Sequence, residues 1–373
     1  MNIIINASNL KEGGGIQVAD SLCRELYRYG NHCFIVVLSS KLGYLSDVLK
    51  EAENVKTVTY DIPHSVRTVV TGRDLFLDDL VRQNQVDGVL TVFGPSIWRP
   101  KIAHLCGFAR AQLLLLDSPY YHKIGVKERI KFKIWYWLFK TSAHHFYTEN
   151  SYISDLLQKS YSGTRVFTVS NYYNQIYDQQ AKWKLTKTLP SFEGTTCLSI
   201  STHYPHKNFE ILIHVAQYLS KERPEFKVRF VLTFQEKEMY VPENLKHYFC
   251  FIGKVAVSEC PYLYEQSDIM FMPTLMECFT ATYPEAMRMG KPIVTTDLEF
   301  AHGLCEDAAC YYSAVDAKAA AEAIYKVATD KNYAESLVLN GREQLKKFDS
   351  YRQRADKLIN IMEIICSDNI IKK

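Results

Sequence analysis

A chain of 373 residues has room for two domains of ordinary size. Its 47% hydrophobic and 23% charged residues are the proportions of a soluble globular protein, and a net charge of +3 is too small to point to nucleic acid. No apolar run reaches the roughly 18 residues of a membrane span. The ten cysteines form no C-x-x-C pair, which fits buried thiols in a reducing compartment and no zinc site.

The start, Met1-Asn2-Ile3-Ile4-Ile5-Asn6, lacks a basic region and an adequate apolar core for a signal peptide. Ile3–Asn6 reads as a first strand, and the chain is placed in the cytoplasm. Next come Lys11-Glu12-Gly13-Gly14-Gly15 and a helix with Ile16, Ala19, Leu22, Cys23 and Leu26 on one face, stopped by Gly30. Glycines there let backbone N–H groups approach a ligand closely. The loop is neither G-x-G-x-x-G nor a P-loop. Further strands are expected at Phe34–Leu38, Gly88–Val92, Gln112–Leu116, Phe146–Thr148 and Val166–Val169. Asp78 and Asp79 fall in a helical pattern and read as a solvated face.

Lys123–Phe146 carries two apolar stripes at helical spacing. One is Val126, Ile130, Ile134, Trp137 and Leu138; the other is Phe132, Trp135, Tyr136 and Phe139, with basic residues between them. The first stripe is expected to pack on the sheet. The second needs another cover, either the surface of an anionic membrane or the rest of the domain.

After the Lys/Thr-rich stretch Lys182–Pro190 a second series of strands follows: Cys197–Ser201, Val228–Thr233, Phe249–Ile252, Ile269–Pro273 and Ile293–Thr296. Strands alternating with helices predict parallel α/β sheets in two Rossmann-like halves. The expected domains are 1–180, 181–349, and a terminal helix at 350–373. Between the last two expected strands lies Glu277-Cys278-Phe279-Thr280-Ala281-Thr282-Tyr283-Pro284-Glu285, then Ala286-Met287-Arg288-Met289-Gly290. Pro284 suits a first helical turn and Gly290 a helix end, so two carboxylates bracket a helix start where an anion can be held.

This segment resembles the E-x7-E region of retaining glycosyltransferases of family 4, which have the GT-B fold. The resemblance extends weakly over nearly the whole chain. It implies two Rossmann-like domains facing a cleft, the first for the acceptor and the second for a nucleotide-diphosphate sugar, with the terminal helix crossing back to the first. The implied activity is that of a retaining hexosyltransferase. By the same resemblance, Glu285 holds the ribose hydroxyls, while Glu277 and the backbone of Phe279, Thr280 and Ala281 hold the sugar. Lys207 neutralises the diphosphate, so the implied catalytic residues are Glu277 and Lys207. Gly14 and Gly15 close over the phosphates, and the backbone of Ile252 and Gly253 contacts the base.

Three departures stand out. Thr202 occupies the position of a usual Arg, which leaves the compensation to His203, His206, the helix dipole or Lys207 alone. Leu116 replaces a usual His, so no general base is assigned and same-face attack is expected. No D-x-D motif is present, so no metal cofactor is expected. The implied acceptor is a lipid-linked saccharide at the inner face of the plasma membrane, in bacterial surface-polysaccharide (lipopolysaccharide, O-antigen) synthesis. The alternatives are a nucleotide-sugar epimerase and a catalytically inactive sugar-binding relative.

Overall fold

The computed structural model describes residues 1–11, 13–63 and 66–371. Glu12 of the glycine-rich loop and the end of the expected 350–373 segment, Lys372 and Lys373, lie outside the described residues. The chain forms two compact units. The first comprises Met1–Leu114, Ile124–Asn171 and the C-terminal stretch from Asp349; the second comprises Leu115–Lys123 and Tyr172–Phe348. The division thus falls at Tyr172 and not at 181. Tyr173 and Tyr177 are buried in the core of the second unit, and the turn after them is tied there by Arg288, which reaches Asp178 at 2.9 Å.

The first unit is built on a seven-stranded sheet, all of whose pairings are parallel. Its strands are β1 (Asn2–Ala7), β2 (Cys33–Leu38), β3 (Val55–Thr59), β4 (Gly88–Thr91), β5 (Ala103–Gly107), β6 (His145–Thr148) and β7 (Arg165–Thr168). They lie in the order β3-β2-β1-β4-β5-β6-β7. The second sheet contains β8 (Thr195–Ser199), β9 (Val228–Leu232), β10 (Phe249–Phe251), β11 (Ile269–Met272), β12 (Ile293–Thr296) and β13 (Ala309–Tyr312), ordered β10-β9-β8-β11-β12-β13. Strands covered on both faces become near-continuous apolar runs, and Ile3-Ile4-Ile5 and Ile269-Met270-Phe271-Met272 are buried throughout. In each sheet the order reverses once, between β1 and β4 and between β8 and β11. These are the topological switch points where open α/β sheets offer a crevice at the strand ends.

Some expected elements moved. Gln112–Leu116 is no strand: Ala111–Leu113 forms a single 3-10 turn and Leu116 is exposed. The strand at this place in the sheet is β5, whose Ala-His-Leu-Cys-Gly sequence carries a weak β signal. β3 and β13, one rich in polar residues and one short, escaped the sequence pattern. The first helix is Gly14–Cys23, ending well before Gly30.

The two stripes of the Lys123–Phe146 region exchange roles. The segment breaks at Gly125, and the long helix runs Val126–Ser142. Phe139, expected at a membrane, is fully buried and its ring lies 4.8 Å from that of Phe108. The Tyr136 hydroxyl donates to the Ser160 carbonyl at 2.9 Å, and Trp135 lies under the Arg110 guanidinium. Phe132 is half-buried on the same face. Phe132, Trp135, Tyr136 and Phe139 are therefore the packing face, and the stripe expected on the sheet is the exposed one. Periodicity reveals two faces but not which of them meets the domain; the aromatic face wins because it has rings and a hydroxyl to pack and bond.

The C-terminal helix, Tyr351–Ile371, belongs to the first unit, burying Ala355, Leu358, Ile359, Met362 and Ile365 in its core. Arg354 anchors its start. Only 2% exposed, it donates from Nη1 to the Asn171 side chain and from Nη2 to the Val18 carbonyl, and it faces the buried Glu149 carboxyl. Burial pushes the Glu149 carboxyl up to about 7, opposed first by Arg354 and then by Asn171. Truncating the arginine leaves that acid uncompensated in the interior. Arg354→Ala should therefore destabilise the protein by ~3–5 kcal/mol, read as a lower urea midpoint. A midpoint unchanged from wild type would remove the anchoring role.

Candidate active site

The best-defined cluster of functional side chains sits at the switch point of the second sheet. β8 and β11 are neighbours, so the loops leaving their C-terminal ends, 200–210 and 273–281, meet although some seventy positions separate them. The first loop turns through a 3-10 segment, Pro205–Lys207, and then through Asn208 in the left-handed region at φ 54°. Asn is among the few non-glycine residues that accept such a conformation. The helix Ile211–Glu222 follows, its Leu212, Val215, Ala216 and Leu219 buried against the sheet. The two loops are stitched by the Leu275 N–H, which donates to the His206 carbonyl at 2.8 Å.

Lys207 and Glu277 come together here. Lys207 Nζ and Glu277 Oε1 form an ion pair with both side chains nearly removed from solvent, and the Thr274 hydroxyl donates to the same carboxylate oxygen at 3.1 Å. Neither charge could be buried alone at tolerable cost; each is the other's condition for being there. The buried Asn208 Nδ2 has no hydrogen-bond partner, an orphaned donor next in sequence to the lysine.

Glu285 lies on the helix Thr282–Arg288. Tyr283 pins this helix to the sheet through a 2.7 Å hydroxyl contact with Thr295 of β12. Gly290, at φ 64°, closes it: the Gly290 N–H donates to the Met287 carbonyl and the Lys291 N–H to that of Ala286, the paired bonds of a Schellman ending. Glu285 is buried and accepts a 3.2 Å hydrogen bond from the Tyr264 hydroxyl. Burial pushes its carboxyl up to about 7, with the nearby Tyr177 and Tyr264 hydroxyls opposing. Burial thus holds Glu285 of the free protein between its two forms at neutral pH. Thr280 is buried too, its hydroxyl 2.9 Å from that of Thr282; Phe279 lies edge-on to Phe348, and Ala281 caps the helix.

The histidines divide. His203 Nε2 is 3.0 Å from Glu210, and its ring packs on Phe209 and Phe234. His206 lies between the rings of Tyr204 and Tyr120, and burial lowers its pKa, so it favours the neutral form and is a poor substitute for a missing arginine charge. Ile252 has both backbone groups engaged, its N–H on the Leu232 carbonyl and its carbonyl on Lys187 Nζ; the Gly253 N–H bonds the Phe234 carbonyl. Asp117-Ser118-Pro119 belongs to the second unit, where the Ser118 hydroxyl donates to the Leu275 carbonyl at 2.7 Å. Gly14 and Gly15 open the first helix of the other unit at its own switch point. There the Asn9 side chain reaches the Phe93 carbonyl at 2.7 Å, and a Cβ on Gly15 would come within 3.2 Å of Leu10.

Among the described residues no three His, Cys, Asp or Glu side chains cluster as a metal would require. Sequence reasoning missed Thr274, Tyr264 and Asn208. Asn208 had a signal, its position after Lys207 in a loop; the other two had none, since their roles depend on strand neighbours.

Residues 184–344 match the family described as glycosyl transferases group 1. An uncharacterized glycosyltransferase of Haemophilus influenzae is 28% identical over 110 residues, 28% of this chain and 31% of that protein, so the match spans about a third of the curated relative. Among solved structures, sucrose-phosphate synthase from Thermosynechococcus elongatus superposes with a TM-score of 0.72 at 15% identity, covering 99% of this chain and 100% of the other. Anabaena HepE, solved with UDP and glucose, gives 0.69 at 15% identity, covering 97% and 99%. WaaG, a glycosyltransferase involved in lipopolysaccharide biosynthesis, gives 0.64 at 14%, covering 97% and 99%. The chain has the two-domain α/β GT-B fold.

The titration of Glu285 carries a stability consequence. Its folded pKa lies above the ordinary carboxyl value, so between about 4.5 and 7 the native state binds more protons than the unfolded one. Its contribution is thus present at low pH and lost as pH rises through that window. Glu285→Gln should remove this slope and make the protein ~3 kcal/mol more stable than wild type at pH 8. Parallel stability–pH curves for the two proteins would disprove the assignment.

Proposed function

We propose that this protein transfers a sugar from a nucleotide-diphosphate donor to a saccharide hydroxyl with retention of anomeric configuration. The observation that carries the reading is the buried Lys207–Glu277 pair at the switch point of the second sheet, inside the family-matched residues. Lys207 neutralises the diphosphate, assisted by the orphaned Asn208 amide donor. When the donor arrives, phosphate replaces Glu277 as the partner of Lys207, and Glu277 is freed to accept hydrogen bonds from the sugar hydroxyls. Glu285 accepts the ribose hydroxyls, which favour its ionised form. A lysine held on the leaving diphosphate supplies the electrostatic stabilisation that glycosyl transfer needs as charge develops there. No side chain is assigned as general base: the acceptor oxygen attacks the face from which the nucleoside diphosphate departs, and the leaving phosphate oxygen takes up the acceptor's proton. The acceptor saccharide is lipid-linked in this reading, as part of surface-polysaccharide synthesis; the likeness in fold to WaaG supports it.

The test is a panel of UDP-, GDP- and other nucleotide sugars, scored by calorimetric binding and nucleotide release, with the product anomer read by NMR. An inverted product overturns retention, and acceptor-independent epimerisation of the donor overturns transfer.

Lys207→Ala and Glu285→Ala should each weaken donor binding about 10- to 100-fold, the range of a charge-assisted hydrogen bond. The lysine variant should lose at least as much, because Thr202 supplies no second cation. A loss below about threefold in Lys207→Ala beside a crippled His203→Ala or His206→Ala would move the phosphate role to a histidine. Donor affinity in the wild type should also rise with pH up to about 7, as Glu285 ionises.

A further inference from the structure

The Val126–Ser142 helix turns an apolar stripe outward. Val126 is 74% exposed, Ile130 54%, Ile134 55% and Trp137 50%, on a helix whose other apolar face is packed into the first unit. Burying such a stripe in water-free surroundings is strongly favourable, and scattered exposed apolar residues do not line up in this way. By helical spacing Lys127 and Lys131 run along one edge of the stripe, and Lys133, Lys140 and Arg129 along the other. The only acid of the helix, Glu128, falls outside both edges.

A second feature extends the surface. The Arg99 guanidinium lies over the Trp137 ring at 5.5 Å and donates from Nη2 to the Val69 carbonyl at 2.8 Å. It thereby joins the stripe to a segment with two more exposed apolar side chains, Val70 at 64% and Leu75 at 65%. Arg99 and Leu75 also line a pocket with Arg73, Arg82 and Lys101, where Asp78 and Asp79 pair with Arg73 and Arg82 and leave two positive charges in excess. Apolar side chains edged by lysines, beside a basic pocket, match a surface that is hydrocarbon beneath and anionic above. A protein partner would need its own acids placed around an apolar groove; an anionic bilayer offers both along its whole area.

We infer that the first unit docks on anionic lipid through this helix, with Val126, Ile130, Ile134 and Trp137 entering the acyl boundary and the flanking lysines on the head groups. The inference rests on the surface alone and is independent of the donor-site reading. Vesicles free of any saccharide lipid therefore test it, and its failure leaves donor binding unaffected.

Wild-type protein should sediment with phosphatidylcholine vesicles containing phosphatidylglycerol, bind pure phosphatidylcholine at least about tenfold more weakly, and release at high salt. Ile130→Ser/Ile134→Ser/Trp137→Ser should lose about tenfold or more of the vesicle binding while keeping the wild-type melting curve, since these side chains are exposed. Fluorescence from Trp137 should be quenched by lipids brominated in the acyl chain, and the signal should vanish in Trp137→Ser. Equal binding by wild type and the triple variant, or no preference for the anionic vesicles, overturns the proposal. So does a wild-type dimer in light scattering that becomes monomeric in the triple variant, because the stripe would then be covered by a second copy.

Discussion

The buried pair of Lys207 and Glu277 is the interaction around which the candidate site is arranged. Its members come from loops far apart in the sequence, and only the pairing of β8 with β11 brings those loops to one sheet edge. The low dielectric that makes a lone buried charge costly also makes each charge responsive to a new partner. A lysine already desolvated and held by Thr274-anchored Glu277 needs only an exchange of partners to meet an anion, without leaving water at the moment of binding.

Glu285 is a second buried acid a short way along the same segment, with opposite surroundings. Glu277 has a cation; at Glu285 burial lifts the carboxyl toward neutrality, against the opposing effect of nearby tyrosine hydroxyls. Two acids eight positions apart are thus distinguished by their environments rather than by their chemistry. The cost is borne by packing nearby: Tyr283, Ala286 and Met287 hold the helix against the sheet while its one acid is kept out of solvent.

The first unit has the same strand logic but a different use of its surface. Its glycine-rich turn occupies the switch point between β1 and β4, while its long basic helix packs Phe132, Trp135, Tyr136 and Phe139 and turns Val126, Ile130, Ile134 and Trp137 outward. Arg354 joins the terminal helix to this unit through contacts made in the interior, where a carbonyl and an amide accept from one guanidinium whose charge also acts on the buried Glu149 carboxyl.

Much of this was legible beforehand. Period-2 and unbroken apolar runs located most strands, Gly290 marked the helix end, and the Glu277/Glu285 spacing with Lys207 after a strand pointed to residues of which the fold brings Lys207 and Glu277 together. These signals are local, set by backbone preference and by side chains a few positions apart. Sequence could not show that Lys207 and Glu277 pair, that Tyr264 shields Glu285, or that Thr274 steadies the ion pair, because each depends on which strands are neighbours. Nor could it choose between the two stripes of the Val126–Ser142 helix. Helical periodicity specifies which residues share a face, and only the shape and hydrogen-bonding demands of the surrounding sheet and helices decide which face is buried.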